Sequence, residues 1–423
     1  MLKKITVDQL SLGMYVHRLC GSWLDHPFWK SAFLLTDGRQ LAQIKSSAVR
    51  EAWIDTLKGG DVPAMPDHAD RDESPGSPAP ESEPAAETRP SALSDEFAAC
   101  SLSEELARAA KTVAQGRGAM MRMFQDVRLG NAIDTEHCQP LVYEITQSVK
   151  RNPGAIVSLA RLKTSDDYTY MHSVAVCALM VSLARRLDFS EADTREAGMA
   201  GLVHDLGKAA MPLEVLNKPG PLTTEEFAIM KGHPAAGHRM LMEARGVSAG
   251  VMDVYLHHHE KFNGKGYPDG LDGERISLLA RLGAVCDVYD AITSNRPYKA
   301  GWDPALSVQK MAQWSREGHF DETVFQAFVK TIGIYPIGSL VRLSSNRLGV
   351  IVDQSPSGLL TPLVMAVFAI ETRQYCEPEL IDIGEPGCDE RIVSRETPEQ
   401  WGLSGLDDFW REGNAPTPLI AAP

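Results

Sequence analysis

Five helix-patterned segments between residues 172 and 287 carry His172, the pair His204-Asp205, His233, the pair His258-His259, and Asp287. Side chains so far apart in sequence can act together only if a helical bundle brings several helices to one point. Seven of the twelve histidines lie between His172 and His259. Imidazoles and carboxylates that arrive from different walls are what a polynuclear metal site requires, because each ligand enters from its own direction. An isolated His-Asp pair is more often a core histidine beside a capping aspartate. Three further His/Asp segments downstream of His204-Asp205 turn the balance towards metal.

Periodicity supports the bundle. From residue 96 to about 332, apolar residues recur at spacings of three and four in Leu102–Val113, Cys138–Val149, Val174–Leu187, Phe227–Leu241 and Leu278–Ile292. Asn152-Pro153-Gly154 and Lys218-Pro219-Gly220-Pro221 punctuate the pattern, and Thr223 before Glu225-Glu226 reads as an N-cap with an acidic first turn. Residues 1–60 form a separate small unit, with strand-like runs at Met14–Val16 and Phe33–Leu35, a turn at Asp37-Gly38 and a helix expected over Ala48–Leu57. Residues 61–95 are rich in Pro, Ala, Glu, Asp and Ser, with too few large apolar residues to offset the entropy of ordering, and are expected to be a disordered acidic linker. In residues 333–423, Ser339–Leu343 and Leu348–Val352 alternate around Ser344-Ser345-Asn346 as a hairpin, Leu363–Ile370 suits a third strand, and a loosely held tail follows. The expected fold is mainly α: a helical bundle domain with a small N-terminal α+β unit and a small C-terminal β appendage.

Composition narrows the partners. A net charge of −14 over 423 residues argues against binding a nucleic-acid polymer or an anionic membrane non-specifically. It leaves room for a small anionic substrate, since a metal cluster dominates the local field. Seven cysteines without any CxxC spacing suit reduced thiols rather than disulfides or a thiolate zinc site. The start MLKKITVDQLSLGMYV lacks the apolar stretch of a signal peptide, and no window approaches the roughly 18 apolar residues of a membrane span. A cytoplasmic location is expected.

Neighbouring residues sharpen the site. Lys208 lies one helical turn from Asp205, where an ammonium beside cations suits a substrate phosphate. Adjacent positions on a helix point about 100° apart, so His258 and His259 can serve one cluster only where the helix ends. The Gly-rich loop that follows them provides that end. His257 and His238 read as bystanders. Asp287, among Leu, Ala, Val and Ile, needs a partner, and a metal is a good one.

Together HDLGK, the downstream His-Pro, HHE followed by GYPDGL, and DVYDAITSNRPYK resemble the HD-GYP domain of the HD phosphohydrolase superfamily. The resemblance covers about residues 96 to 345. Residues 1–60 resemble the small N-terminal domain of unknown role that precedes some HD-GYP domains. The family hydrolyses cyclic di-GMP to linear pGpG, in some cases on to GMP. The resemblance implies His172, His204, Asp205, His233, His258, His259 and Asp287 as metal ligands, with Asp205 bridging. It implies Lys208 near the reacting phosphate, Tyr267 near the substrate, and Arg296 and Lys299 on substrate phosphate and guanine, tasks to which these cations are chemically suited. Some relatives hold a third metal through a Glu where this chain has Tyr168, so two metals are expected. The usual Asp after HHE is Asn263 here, expected to shape the loop.

The implied reaction is phosphodiester hydrolysis by a hydroxide bridging two metals about 3.5–4 Å apart. An all-His/carboxylate set suits Fe or Mn, and Zn and Ni are compatible with it. Two alternatives stand beside this reading: an HD hydrolase of another nucleotide, and a catalytically weak cyclic di-GMP-binding module that signals through partners. Residues 1–60 are a candidate surface for a protein partner or a second copy.

Overall fold

The computed structural model describes residues 2–20, 32–46, 49–60, 100–131, 134–161, 168–242, 244, 246–294, 301–355 and 358–411. The chain divides into two compact units, Met1–Ala98 and Ala99–Pro423.

In the first unit, β1 (Leu2–Thr6), β2 (Tyr15–Cys20), β3 (Phe33–Leu34) and β4 (Glu51–Asp55) form an antiparallel sheet in the order β1-β4-β2-β3, with α1 (Gly38–Ser46) between β3 and β4. Ile5, Val16, Ile44, Ala52 and Ile54 fill its core. The helix expected over Ala48–Leu57 is instead an inner strand, β4. Ala52 and Ile54 are fully buried while Glu51, Trp53 and Asp55 are not, an alternation of period two, and Ile54 pairs with Lys3 on one side and Val16 on the other. The helix lies earlier. Asp37 begins it, its carboxylate accepting the Arg39 amide at 2.8 Å, where a turn was expected.

The second unit is built around α5 (Tyr168–Arg186), whose residues Val174–Ala184 are buried on every face. It packs against α2 (Leu102–Arg128), α3 (Gln139–Arg151), α4 (Pro153–Arg161), α6 (Glu191–Val203), α11 (Leu278–Thr293) and α13 (Glu322–Ile332). Two glycines bring α6 close to α5. A Cβ on Gly201 would lie 2.9 Å from the Val176 carbonyl oxygen, and one on Gly198 would lie 2.7 Å from a Val181 methyl. This close approach carries the end of α6 to His172.

The short helices α7 (Leu213–Leu216), α8 (Thr224–Met230), α9 (His233–Met242) and α10 (Ala249–His257) lie between α6 and α11, and α12 (Pro304–Arg316) precedes α13. Thr223 caps α8 as expected, with a reciprocal bond from Glu226. Five antiparallel strands follow: β5 (Leu340–Leu343), β6 (Arg347–Asp353), β7 (Leu363–Ala369), β8 (Gln374–Asp382) and β9 (Ile392–Glu396), ordered β8-β7-β6-β5-β9. The first three match the expected hairpin and third strand. The loosely held tail is corrected: residues 374–396 supply both edge strands, and Trp410 is buried at 2% exposure. β8 is mostly exposed and contains Pro378 and two glutamates, so no buried face marks it in the sequence. The mainly-α architecture with a small β-containing unit at each end is as expected.

The buried carboxylate Glu105 of α2 receives both Nε and Nη2 of Arg151 on α3, at 2.7 and 2.8 Å. Glu105→Ala is expected to destabilise the second unit by about 3 kcal/mol, because Arg151 keeps only slight access to water. Urea denaturation followed by helical circular dichroism measures this; a loss below about 1 kcal/mol would assign the helix pair's stability elsewhere.

Candidate metal centre

Each candidate ligand is placed by a helix end or an inward helix face. His172 is in the first turns of α5, His204 ends α6, and Asp205 opens a short 3-10 turn, Leu206–Ala210. His233 starts α9, His258 and His259 follow the end of α10, and Asp287 lies inside α11. The adjacent histidines therefore sit where a helix stops, the condition under which both can face one site. Glycine shapes the approach here too: a Cβ on Gly207 would lie 2.1 Å from the His233 carbonyl oxygen, so the HD turn rests directly on the His233 backbone.

All seven residues converge. His172, His204 and Asp287 form one group able to hold an ion, and Asp205, His233, His258 and His259 form another. Asp205 faces both. Its Oδ1 lies 3.2 Å from His233 Nε2 and 3.8 Å from His258 Nε2. Its Oδ2 lies 3.4 Å from His172 Nε2 and 3.5 Å from His204 Nε2. Asp287 also spans the groups, with Oδ1 2.9 Å from His172 Nε2 and Oδ2 3.6 Å from His259 Nδ1. Lys208, three residues along the 3-10 turn, places Nζ 2.5 Å from Asp205 Oδ2.

The hydrogen bonds orient the rings for metal. Nδ1–H of His204 donates to the Gly201 carbonyl at 2.8 Å, that of His233 to Met230 at 2.8 Å, and that of His258 to Tyr255 at 3.0 Å. A carbonyl acceptor fixes the proton on Nδ1 and leaves the Nε2 lone pair aimed inward. Among the described residues, the buried His204 Nε2 and Asp205 Oδ1 have no hydrogen-bond partner. Such unpaired acceptor atoms are costly unless a cation completes them, so the residues fit a metal cluster.

Electrostatics agree. Burial drives His258 well below the usual imidazole range, with His259 and His204 adding to it, and drives His259 down to about 3. Both shifts favour the neutral ring, the form that can ligate a metal. Burial would also lower His172, but Asp205, Asp287 and Asp290 outweigh it and push the ring up to about 10. Burial would raise Asp205, yet Lys208 and His204 hold it well below the carboxylate range. A proton on His172 and a metal ion answer the same negative charge, so they compete for it.

Three residues take positions here to which the sequence reading gave no role. Asp290 accepts the His172 Nδ1 proton at 2.6 Å and Ser294 Oγ at 3.2 Å. Its signal was available, since it lies one turn beyond Asp287 on α11. Glu260 Oε1 accepts the backbone amides of Asp269 and Gly270 at 2.7 and 2.9 Å. His257, read as a bystander, bonds Asp253 and Asp269. Tyr267 lies with its ring 4.8 Å from that of His259. Asn263 shapes its loop: Nδ2 donates to the Glu317 carbonyl at 2.9 Å and Oδ1 accepts the Lys265 amide at 3.2 Å. Arg296, Lys299 and the side chain of Tyr168 lie outside the described residues.

Residues 147–324 match the HD domain family, and residues 2–138 match a domain of unknown function, DUF3391. Over 97% of its length the chain is 52% identical to a cyclic di-GMP phosphodiesterase of Pseudomonas aeruginosa, covering 96% of that protein. The chain belongs to the HD-GYP family. Within that family, 30% of the chain is 47% identical to a cyclic di-GMP phosphodiesterase response regulator of Xanthomonas campestris, covering 34% of it. A 3'3'-cGAMP-specific phosphodiesterase of Vibrio cholerae is 33% identical over 41% of the chain, covering 42% of its own length.

Removing the carboxylate behind His172 tests the ring-orienting network. Asp290→Ala is expected to weaken metal binding about 10- to 100-fold in competition with a chelator, with the fold retained by circular dichroism. Unchanged affinity would mean that the bond to Asp290 plays no part in ligation.

Proposed function

We propose that this chain is a metal-dependent phosphodiesterase that hydrolyses cyclic di-GMP to linear pGpG, and on to GMP if the linear product re-enters the site. The observation that carries the reading is the convergence of seven buried or half-buried His and Asp residues on one centre, with Asp205 shared between its two halves. The near full-length relative in Pseudomonas aeruginosa supports the substrate.

His172, His204 and Asp287 would hold one divalent ion, and His233, His258 and His259 a second, with Asp205 common to both. Two ions, Fe or Mn by the His/carboxylate donor set with Zn and Ni compatible, would supply charge stabilisation for the phosphate and a water of lowered pKa. The remaining chemistry belongs to the chain. Water adds to phosphorus, the bond from phosphorus to the 3′ oxygen breaks, and the leaving oxygen takes a proton. Lys208, on the rim of Asp205 and partly exposed, offsets negative charge that grows on the phosphoryl oxygens. Tyr267 flanks the site beside His259 and orients the substrate. Arg296 and Lys299 are assigned to substrate phosphate and guanine.

No helix among the described residues is long and apolar enough to cross a membrane. We assign the enzyme to the cytoplasm, where it lowers the second messenger. Residues 1–60 serve as a docking unit for a protein partner or a second copy, residues 61–95 as a linker, residues 96–332 as the catalytic domain, and residues 333–423 as its β appendage. Hydrolysis of a different cyclic dinucleotide is a second reading, favoured by the Vibrio cholerae relative.

Metal-loaded protein incubated with cyclic di-GMP, 3'3'-cGAMP and mononucleotides decides between these. Cleavage of cyclic di-GMP to pGpG is expected to be fastest, and His204→Ala and Asp205→Ala are each expected to lower it by at least about 1,000-fold, the equivalent of about 4 kcal/mol. Rapid turnover of another nucleotide with cyclic di-GMP untouched would overturn the assignment. Retained signalling in both variants would favour a binding module.

A further inference from the structure

The loop 262–270 carries Tyr267 and must be held against the ligands if that ring is to orient a substrate. Its backbone folds back on the ligand segment: a Cβ on Gly266 would lie 2.3 Å from the Lys261 nitrogen, and the Tyr267 amide donates to the His259 carbonyl at 3.3 Å. Glu260 grips the far end of the loop through the Asp269 and Gly270 amides. One further tie is made entirely by side chains. His257 Nε2 lies 3.1 Å from Asp269 Oδ2, and its Nδ1 lies 2.7 Å from Asp253 Oδ1. Ser277 Oγ donates to the other Asp253 oxygen, while its own oxygen caps α11 by accepting the Ala280 amide at 3.1 Å.

We propose that His257 is a positioning residue that latches the Tyr267 loop, through Asp269, to α10 and α11, the helices that present His258, His259 and Asp287. The inference rests on the reading of Tyr267 as a substrate-side residue. A helical position immediately before two ligands points away from them, so His257 is free to face the loop. The side chain is only 13% exposed, whereas Asp269 is 53% exposed. The latch therefore sits at the surface edge of the loop, where its loss loosens the loop and leaves the bundle folded. A ring held in place to receive the substrate contributes to binding rather than to the bond-breaking step, so the latch acts on KM.

The test uses the full metal-loaded chain and two substrates, cyclic di-GMP and the small diester bis(p-nitrophenyl) phosphate. His257→Ala and Asp269→Ala are expected to raise KM for cyclic di-GMP about 10-fold, with kcat, metal content and small-diester turnover within about 2-fold of the parent. Asp269→Asn, which can still bond the imidazole, is expected to recover most of the KM. Unchanged KM in both alanine variants, or metal loss that accounts for the change, would overturn the latch. If the parent cleaves the small diester but not cyclic di-GMP, the assigned function falls and the latch is judged on amide hydrogen exchange at Tyr267 and Gly270. Faster exchange in both alanine variants sustains it, and unchanged exchange overturns it.

Discussion

Asp205 presents one carboxylate oxygen to His233 and His258 and the other to His172, His204 and Lys208, so a single side chain joins ligands contributed by four helices. Charge is the constraint behind this arrangement. A fully buried carboxylate can remain ionised only among cations or strong donors, and here the imidazoles, Lys208 and a metal ion are the candidates. α5, α6, α9 and α10 each bring an imidazole to that one group. Asp287 repeats the pattern more weakly, reaching His172 with one oxygen and His259 with the other.

Close backbone approach makes the convergence possible. Gly198 and Gly201 seat α6 on α5, which sets His204 beside His172 with ring centroids 5.1 Å apart. Gly207 lays the HD turn on the His233 backbone, and Gly237 makes room for Tyr255, whose hydroxyl would lie 1.8 Å from a Cβ at that position. The ligand geometry is thus set largely by residues without side chains. Around it, backbone carbonyls and Asp290 orient four of the candidate imidazoles through their Nδ1 atoms.

How much was legible in the sequence follows from where each signal is written. The clustering of the candidate ligands was legible because they lie at helix ends or among apolar neighbours, where a charged or imidazole side chain has no ordinary reason to be. Strand β4 was not, because Val49, Ala52, Trp53, Ile54 and Leu57 satisfy helical spacing as well as alternation, and only pairing with β1 and β2 decides between them. β8 was missed for the opposite reason: as an exposed edge strand it has almost no buried face to betray it. His257 and Glu260 were opaque because their partners, Asp253, Asp269 and the loop amides, depend on how the glycine-rich loop folds back. Spacing in the sequence carries no record of that.

Anomalous diffraction from metal-loaded crystals tests the central claim most directly. Two metal peaks are predicted per chain, one facing His172, His204 and Asp287 and the other facing His233, His258 and His259, with Asp205 bound to both. A single peak, or two peaks with Asp205 bound to only one, would contradict the account.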